Sequence, residues 1–283
     1  MTRSENVIEI EGLRKVYRIG SERVVALDRI DLAINRGEVC CLLGPSGSGK
    51  STLLNMIAGL EKPTRGTITM LGERISTMGE SRLAKFRQHN MGFVFQSYNL
   101  LPELTALENV TLPLMFSGES RRKRRKAAFG MLDMVGLRSH AKHKPTQMSG
   151  GQQQRVGIAR AFVSDAPIIL ADEPTGNLDS KTTTEIMNII IERARIRGQT
   201  LLIVTHDIRI ATYADRVVHI FDGNVARIES GREVSDSLSG IEKDDLLPYV
   251  EPEIAADDTV AEEVNSLKPE KIDTIRYFED MNQ

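Results

Sequence analysis

A run with no polar side chain, Val39-Cys40-Cys41-Leu42-Leu43, leads directly into Gly44-Pro45-Ser46-Gly47-Ser48-Gly49-Lys50-Ser51-Thr52. A helical pattern then takes over from Lys50 to Leu60. A continuous apolar strand must be covered on both faces, so this segment demands an α/β fold with its sheet buried between layers. The loop fits G-x-x-x-x-G-K-[ST]. Its glycines let backbone N–H groups converge on an anion. Lys50 brings a positive charge toward β- and γ-phosphates, and Ser51 offers a hydroxyl to Mg²⁺. The helix N-terminus adds a partial positive charge. A nucleoside triphosphate is the expected ligand. No N-K-x-D occurs in the chain, so the guanine-selective pattern is missing and ATP is the expected nucleotide.

Further short strands are expected at 7–10, 24–27, 31–34, 67–70 and 93–95. Buried parallel strands are expected at Ile168–Leu170 and Leu201–Val204, with a helix over Ser180–Arg197 between them. That order implies a right-handed crossover. Val217–Phe221 and Val225–Ile228 flank Asp222-Gly223-Asn224, a hairpin signal. Residues 80–163 read as mostly helical.

The apolar run 167–171 ends in Asp172 and Glu173. Burying two acids at a strand end is costly and needs a reason. A divalent cation supplies one: Asp172 in the Mg²⁺ shell and Glu173 orienting the attacking water. Capping of a following helix is the alternative for the pair on its own. A second anion nest is formed by Ser149, Gly150 and Gly151 ahead of a helical run to Phe162. By itself this reads first as an ordinary N-capped helix. One triphosphate does not need two cradles on one chain, so a dimer sandwiching each ATP between one copy's cradle and the other's Ser-Gly-Gly is the economical reading.

The ordered set Gly44–Thr52, Gln96, Met148–Gln152, Asp172–Glu173, Asp179 and His206 resembles an ABC transporter ATPase subunit over roughly residues 5–230. The resemblance implies an α/β P-loop NTPase core with a mixed sheet, an antiparallel β subdomain and a helical subdomain near 97–163. It implies that Tyr17 stacks on adenine; a partly buried strand tyrosine is the plainer reading. It implies that Gln96 touches Mg²⁺ and the attacking water and senses a transmembrane partner. Met148 stands where the family more often has Leu, a swap that keeps apolar volume. Ser149, Gly150, Gly151 and Gln152 would close on the partner's ATP, Asp179 would couple the two sites, and His206 would hold the γ-phosphate. The segments 99–110 and 171–180 look like the macrolide-export and lipoprotein-release branch, which also includes a cell-division ATPase. That branch implies an integral membrane permease as partner, a second ATPase subunit, and a place on the cytoplasmic face of the membrane. Soluble relatives that act on ribosomes or DNA carry a second cassette, long coiled coils or zinc modules. None of these is legible here, so no nucleic-acid partner is expected.

Charge is unevenly spread. Residues 231–283 hold 15 acidic and 5 basic residues, net −10, leaving net +8 on residues 1–230. The acidic extension is expected to be peripheral or partly disordered. The basic run Arg121–Lys126 reads as a solvated helix face, with anionic headgroups as the alternative partner. Cys40 and Cys41 are neighbours in a strand, point to opposite faces and are expected to stay reduced. No apolar signal core opens the sequence, and no stretch approaches the length of a membrane span.

Overall fold

The computed structural model describes residues 6–238. The chain opens with two long antiparallel strands, β1 (Asn6–Ile19) and β2 (Glu22–Asn35), followed by β3 (Val39–Leu43), α1 (Lys50–Ile57), β4 (Arg65–Met70) and β5 (Glu73–Arg74). Helix α2 (Glu80–Asn90) and strand β6 (Met91–Val94) lead into three helices, α3 (Ala106–Phe116), α4 (Arg121–Met134) and α5 (Gly150–Phe162). Then come β7 (Ile168–Asp172), α6 (Ser180–Arg197), β8 (Thr200–Thr205), α7 (Ile208–Ala211), β9 (Arg216–Phe221), β10 (Asn224–Ser230) and α8 (Gly231–Leu238).

Two sheets result. The first is antiparallel, in the order β2-β1-β4-β5; the second runs β10-β9-β3-β8-β7-β6. In the second sheet only the β10–β9 pair is antiparallel. The central strands build two cores by simple alternation. Val39, Cys41 and Leu43 enter the core shared with α3–α6, while Cys40 and Leu42 enter the core shared with α1 and the antiparallel sheet. Strands β7 and β8 divide the same way: Ile169, Ala171, Leu201 and Ile203 on one side, and Ile168, Leu170, Leu202 and Val204 on the other. Both cysteines are therefore free and buried. Burial pushes the Cys40 thiol up to about 12, far from the thiolate needed for disulfide chemistry.

The sequence pattern gives three short strands where the structure has the 14-residue β1 and β2. Register shifts between Ile10, Leu13, Lys15 and Val16 break the two-residue alternation. Gly12 takes a positive φ of 55° there, and its N–H is satisfied by the Asp31 carboxylate at 2.6 Å, as a β-bulge requires.

The helical subdomain expected at 97–163 is made of α3, α4 and α5, which pack on one another. Helix α3 starts at a capping box in which the Thr105 hydroxyl and the Glu108 carboxylate satisfy each other's N–H. The fold also continues beyond residue 230. Helix α8 buries Val234, and Leu238 packs against the same core, so at least these eight residues of the acidic extension are structured. The rest of the extension lies outside the described residues. Among the described residues, no helix is long and apolar enough to cross a membrane.

Candidate active site

Register brings the site together. Leu43 of β3 pairs with Thr205 of β8, Val204 with Asp172 of β7, and Ala171 with Val94 of β6. Four parallel strands thus finish in step, and the residues just beyond them, Gly44, His206, Glu173 and Gln96, share one crest. Ligands of open α/β sheets bind outside such carboxyl ends. From β3 to β6 is three strand spacings, roughly 14 Å, enough to span a triphosphate and its attacking water.

Two of the cradle's glycines, Gly44 and Gly49, are needed for space. A Cβ on Gly44 would lie 2.1 Å from the Ile220 carbonyl oxygen. Gly49 has φ 102°, and its Cβ would meet the Ala26 carbonyl oxygen at 2.6 Å. Pro45, Ser46, Gly47 and Ser48 complete the turn, and the Lys50 ammonium fills it, donating to the Gly44 and Pro45 carbonyls at 2.7 Å each. Burial pulls the Lys50 pKa down, while Glu173 and Asp172 pull it back up. No side chain caps α1, so its first N–H groups remain available to an incoming anion. Ser51 is exposed on this helix and Thr52 half-buried behind it.

Asp172 ends β7 with its Oδ1 buried and without a hydrogen-bond partner. Burial holds its carboxyl above the usual range, reinforced by Glu173 and opposed by Lys50. The Ser48 hydroxyl is a second buried, unpartnered oxygen in the same region. Unsatisfied buried oxygens beside an ammonium and a free hydroxyl suit a hard cation with phosphate, and this donor set fits Mg²⁺.

Glu173 sits in the left-handed region at φ 43°, a strained position for a side chain that is not glycine. Its N–H is anchored on the Val204 carbonyl at 2.8 Å. Its carboxylate accepts from the Thr205 hydroxyl at 3.0 Å, the His206 N–H at 3.1 Å and the His206 Nδ1 at 2.7 Å. Glu173 and His206 are therefore already one unit.

The remaining expected residues form a second group. Ser149 caps α5 in a capping box with Gln152, and Gln152 reaches the His140 ring at 3.4 Å. A Cβ on Gly150 would meet the Tyr98 hydroxyl at 2.8 Å, and one on Gly151 would sit 3.0 Å from the Thr182 methyl. Asp179 caps α6 through Thr182, and those bonds hold its carboxyl below the usual range. Among the described residues, no hydrogen bond or ion pair joins Ser149–Gln152 to the cradle. Gln96 lies between the two groups. Its amide sits 2.8 Å from where a Gly176 Cβ would be, and its carbonyl accepts from Asn177. Tyr17 stands beside the cradle, with its hydroxyl donating to Glu61 at 2.6 Å and Lys15 over one ring face at 4.9 Å.

Sequence reasoning missed three supports. Thr205 holds the Glu173 carboxylate. Buried Gln154 donates to the Pro174 carbonyl, tying α5 to the turn after Glu173. Arg160 donates to the Tyr98 carbonyl at 2.7 Å, bracing the segment after Gln96. Gln154 and Arg160 stand six residues apart on α5, on different faces of the helix, so no periodicity in the sequence marks them as a pair.

A phosphate cradle, a paired acid and a polar crest on a parallel sheet define a P-loop ATPase. The family model described as "ABC transporter" matches residues 27–176, and the chain belongs to that family as an ATP-binding, ATP-hydrolysing component. It is 47% identical over 237 residues to the uncharacterized ABC transporter ATP-binding protein MJ0796 of Methanocaldococcus jannaschii, covering 81% of this chain and 100% of that one. It is 46% identical to the lipoprotein-releasing system ATP-binding protein LolD of Geobacter metallireducens, covering 78% and 98%. It is 43% identical to the macrolide export ATP-binding/permease protein MacB of Rhodopseudomonas palustris, of which it spans only 36%. The dimeric post-hydrolysis structure of MJ0796 bound to ADP and Pi superposes with a TM-score of 0.75 at 45% identity, covering 80% of this chain and 99% of that one.

Proposed function

We propose that this chain powers a separate membrane permease of the macrolide-export or lipoprotein-release kind, by hydrolysing ATP at two sites shared between two copies. Ser51, Asp172 and Gln96 would hold Mg²⁺, which when bound neutralises charge on the β- and γ-phosphate oxygens. Tyr17 packs against adenine. Lys50 exchanges the Gly44 and Pro45 carbonyls for phosphate oxygens. Ser149 and the α5 N-terminus of the other copy close on the γ-phosphate, with Gly150, Gly151 and Gln152 shaping that approach and Asp179 at the joint.

The observation that carries the mechanism is the Glu173–His206 bond. With no γ-phosphate present, the imidazole donates to the carboxylate. When the γ-phosphate arrives, His206 turns its N–H to the phosphate, and the carboxylate is released to take a proton from the attacking water. The base is thus unmasked by its own substrate, which couples closure of the dimer to chemistry.

Gln96 lies next to an apolar groove of ≈ 400 Å³ lined by residues including Leu60, Phe93, Phe95, Pro113 and Phe116. The permease would sit there, read closure through Gln96, and hold the chain on the cytoplasmic face of the membrane. Glu173→Gln tests the assignment: turnover should fall by about 10²–10⁴-fold, while ATP binding persists and an ATP-dependent dimer accumulates on size exclusion. Near wild-type turnover would remove Glu173 from the role of base.

A further inference from the structure

We propose that the corner between α3 and α4, from Met115 through Lys126, is a contact surface for anionic lipid headgroups. Six consecutive cations, Arg121 to Lys126, open α4. All but Arg124 are exposed. They stand where a helix least favours them, because the N-terminal macrodipole is positive. Arg121 faces Arg125 and Arg122 faces Lys126 at the i,i+4 spacing, where like charges repel. Local compensation is slight. The one ion pair of the run among the described residues is Lys123 with Glu119 at 3.5 Å, and Arg125 lies over the Phe129 ring at 5.8 Å. An arrangement that works against its own helix is accounted for by an anion outside the chain.

The same corner exposes apolar surface. Phe116 is 70% exposed and Met115 42%, just before the turn that leads into the cations. Large apolar side chains beside clustered Arg and Lys match the headgroup–acyl boundary of a bilayer. A nucleic-acid backbone would use the cations and leave the exposed Met115, which is not among the groove-lining residues, with nothing to meet. Phe116 also borders the groove assigned above to the permease, so the cations face the side on which the membrane would lie; this orientation rests on that assignment. The lipid contact would fix the tilt of the helical subdomain on the membrane surface.

The test uses the full chain without permease. Co-sedimentation is measured with vesicles of phosphatidylcholine alone and of phosphatidylcholine with phosphatidylglycerol, at low and high salt. Wild type should partition onto the anionic vesicles only, and high salt should release it. The triple variant Arg121→Gln, Arg122→Gln, Lys126→Gln keeps good helix formers on an exposed face and should retain ATP hydrolysis. Its partition should drop on the order of a hundredfold, from about fivefold per cation near an anionic surface. Equal binding to both vesicle types, equal binding by wild type and variant, or run-dependent binding to a DNA duplex in preference to the vesicles would each overturn the proposal. ATP hydrolysis is read separately, so a failure here is distinguishable from a failure of the ATPase mechanism.

Discussion

Asp172→Asn should make the nucleotide-free protein more stable and the ATPase inactive. The Asp172 Oδ1 is buried without a partner, and burial holds the carboxyl above its ordinary range against the attraction of Lys50. Ionised Asp172 therefore works against folding. Leaving one buried polar group unsatisfied costs about 1–3 kcal/mol, more when it is charged. Asn still leaves a polar atom at that position, so the variant relieves only the burial of the charge, a gain of about 1 kcal/mol, or about 2–4 °C in Tm for a chain of this size. The pH dependence has a definite sign. A carboxyl raised in the fold carries no penalty below its unfolded pKa and the full penalty once pH exceeds its folded pKa. The advantage of the variant should thus be largest at mildly alkaline pH and shrink as pH falls toward the ordinary carboxylate range. Scanning calorimetry without nucleotide measures it, and Mg²⁺-ATP should then stabilise wild type more than the variant. An equal or lower Tm for Asp172→Asn at alkaline pH would refute the reasoning, because Asp172 would then be satisfied in the fold and not held in reserve for a cation.

Other outcomes follow from the same geometry. Gly49→Ala must place a Cβ 2.6 Å from the Ala26 carbonyl oxygen at φ 102°; it should lose nucleotide binding in a titration and at least about 1–3 kcal/mol of stability. Neither Cys40 nor Cys41 should react with a thiol reagent in the native state, and both should react in denaturant, since both side chains are fully buried. Truncation after residue 230 removes buried Val234 and should cost about 1.5–3 kcal/mol, read as a lower Tm in scanning calorimetry.

Much of the fold is legible in the sequence, because the strands that carry the site announce themselves. Val39–Leu43, 168–171 and Leu201–Val204 are continuous apolar runs since each is buried on both faces. The helix Ser180–Arg197 is bounded by an Asp179 N-cap and the left-handed Gly198. Strands β1 and β2 were harder to read, because a bulge shifts which residues face inward. The start of α8 carried a signal that charge composition obscured: Ser230 and Glu233 form a capping box, and a Cβ on Gly231 would lie 2.1 Å from the Ala214 carbonyl oxygen. In the site, the residue pattern pointed to Lys50, Asp172 and Glu173, and the family resemblance to His206. Neither could show that Glu173 and His206 are bonded to each other, because that contact depends on the register of β7 against β8. Thr205 was invisible for the same reason.

The central claim is that each ATP site is built from two copies. Mixing Lys50→Ala with Ser149→Ala tests it directly. Each variant alone lacks one half of both sites and should be inactive. A mixed dimer holds one complete site: the cradle of the Ser149→Ala copy facing the intact Ser149 of the Lys50→Ala copy. With random pairing in a two-fold dimer, hydrolysis should return to about a quarter of the wild-type rate on mixing. No recovery, with mixed dimers demonstrated, would contradict a shared site and leave both residues acting within one chain.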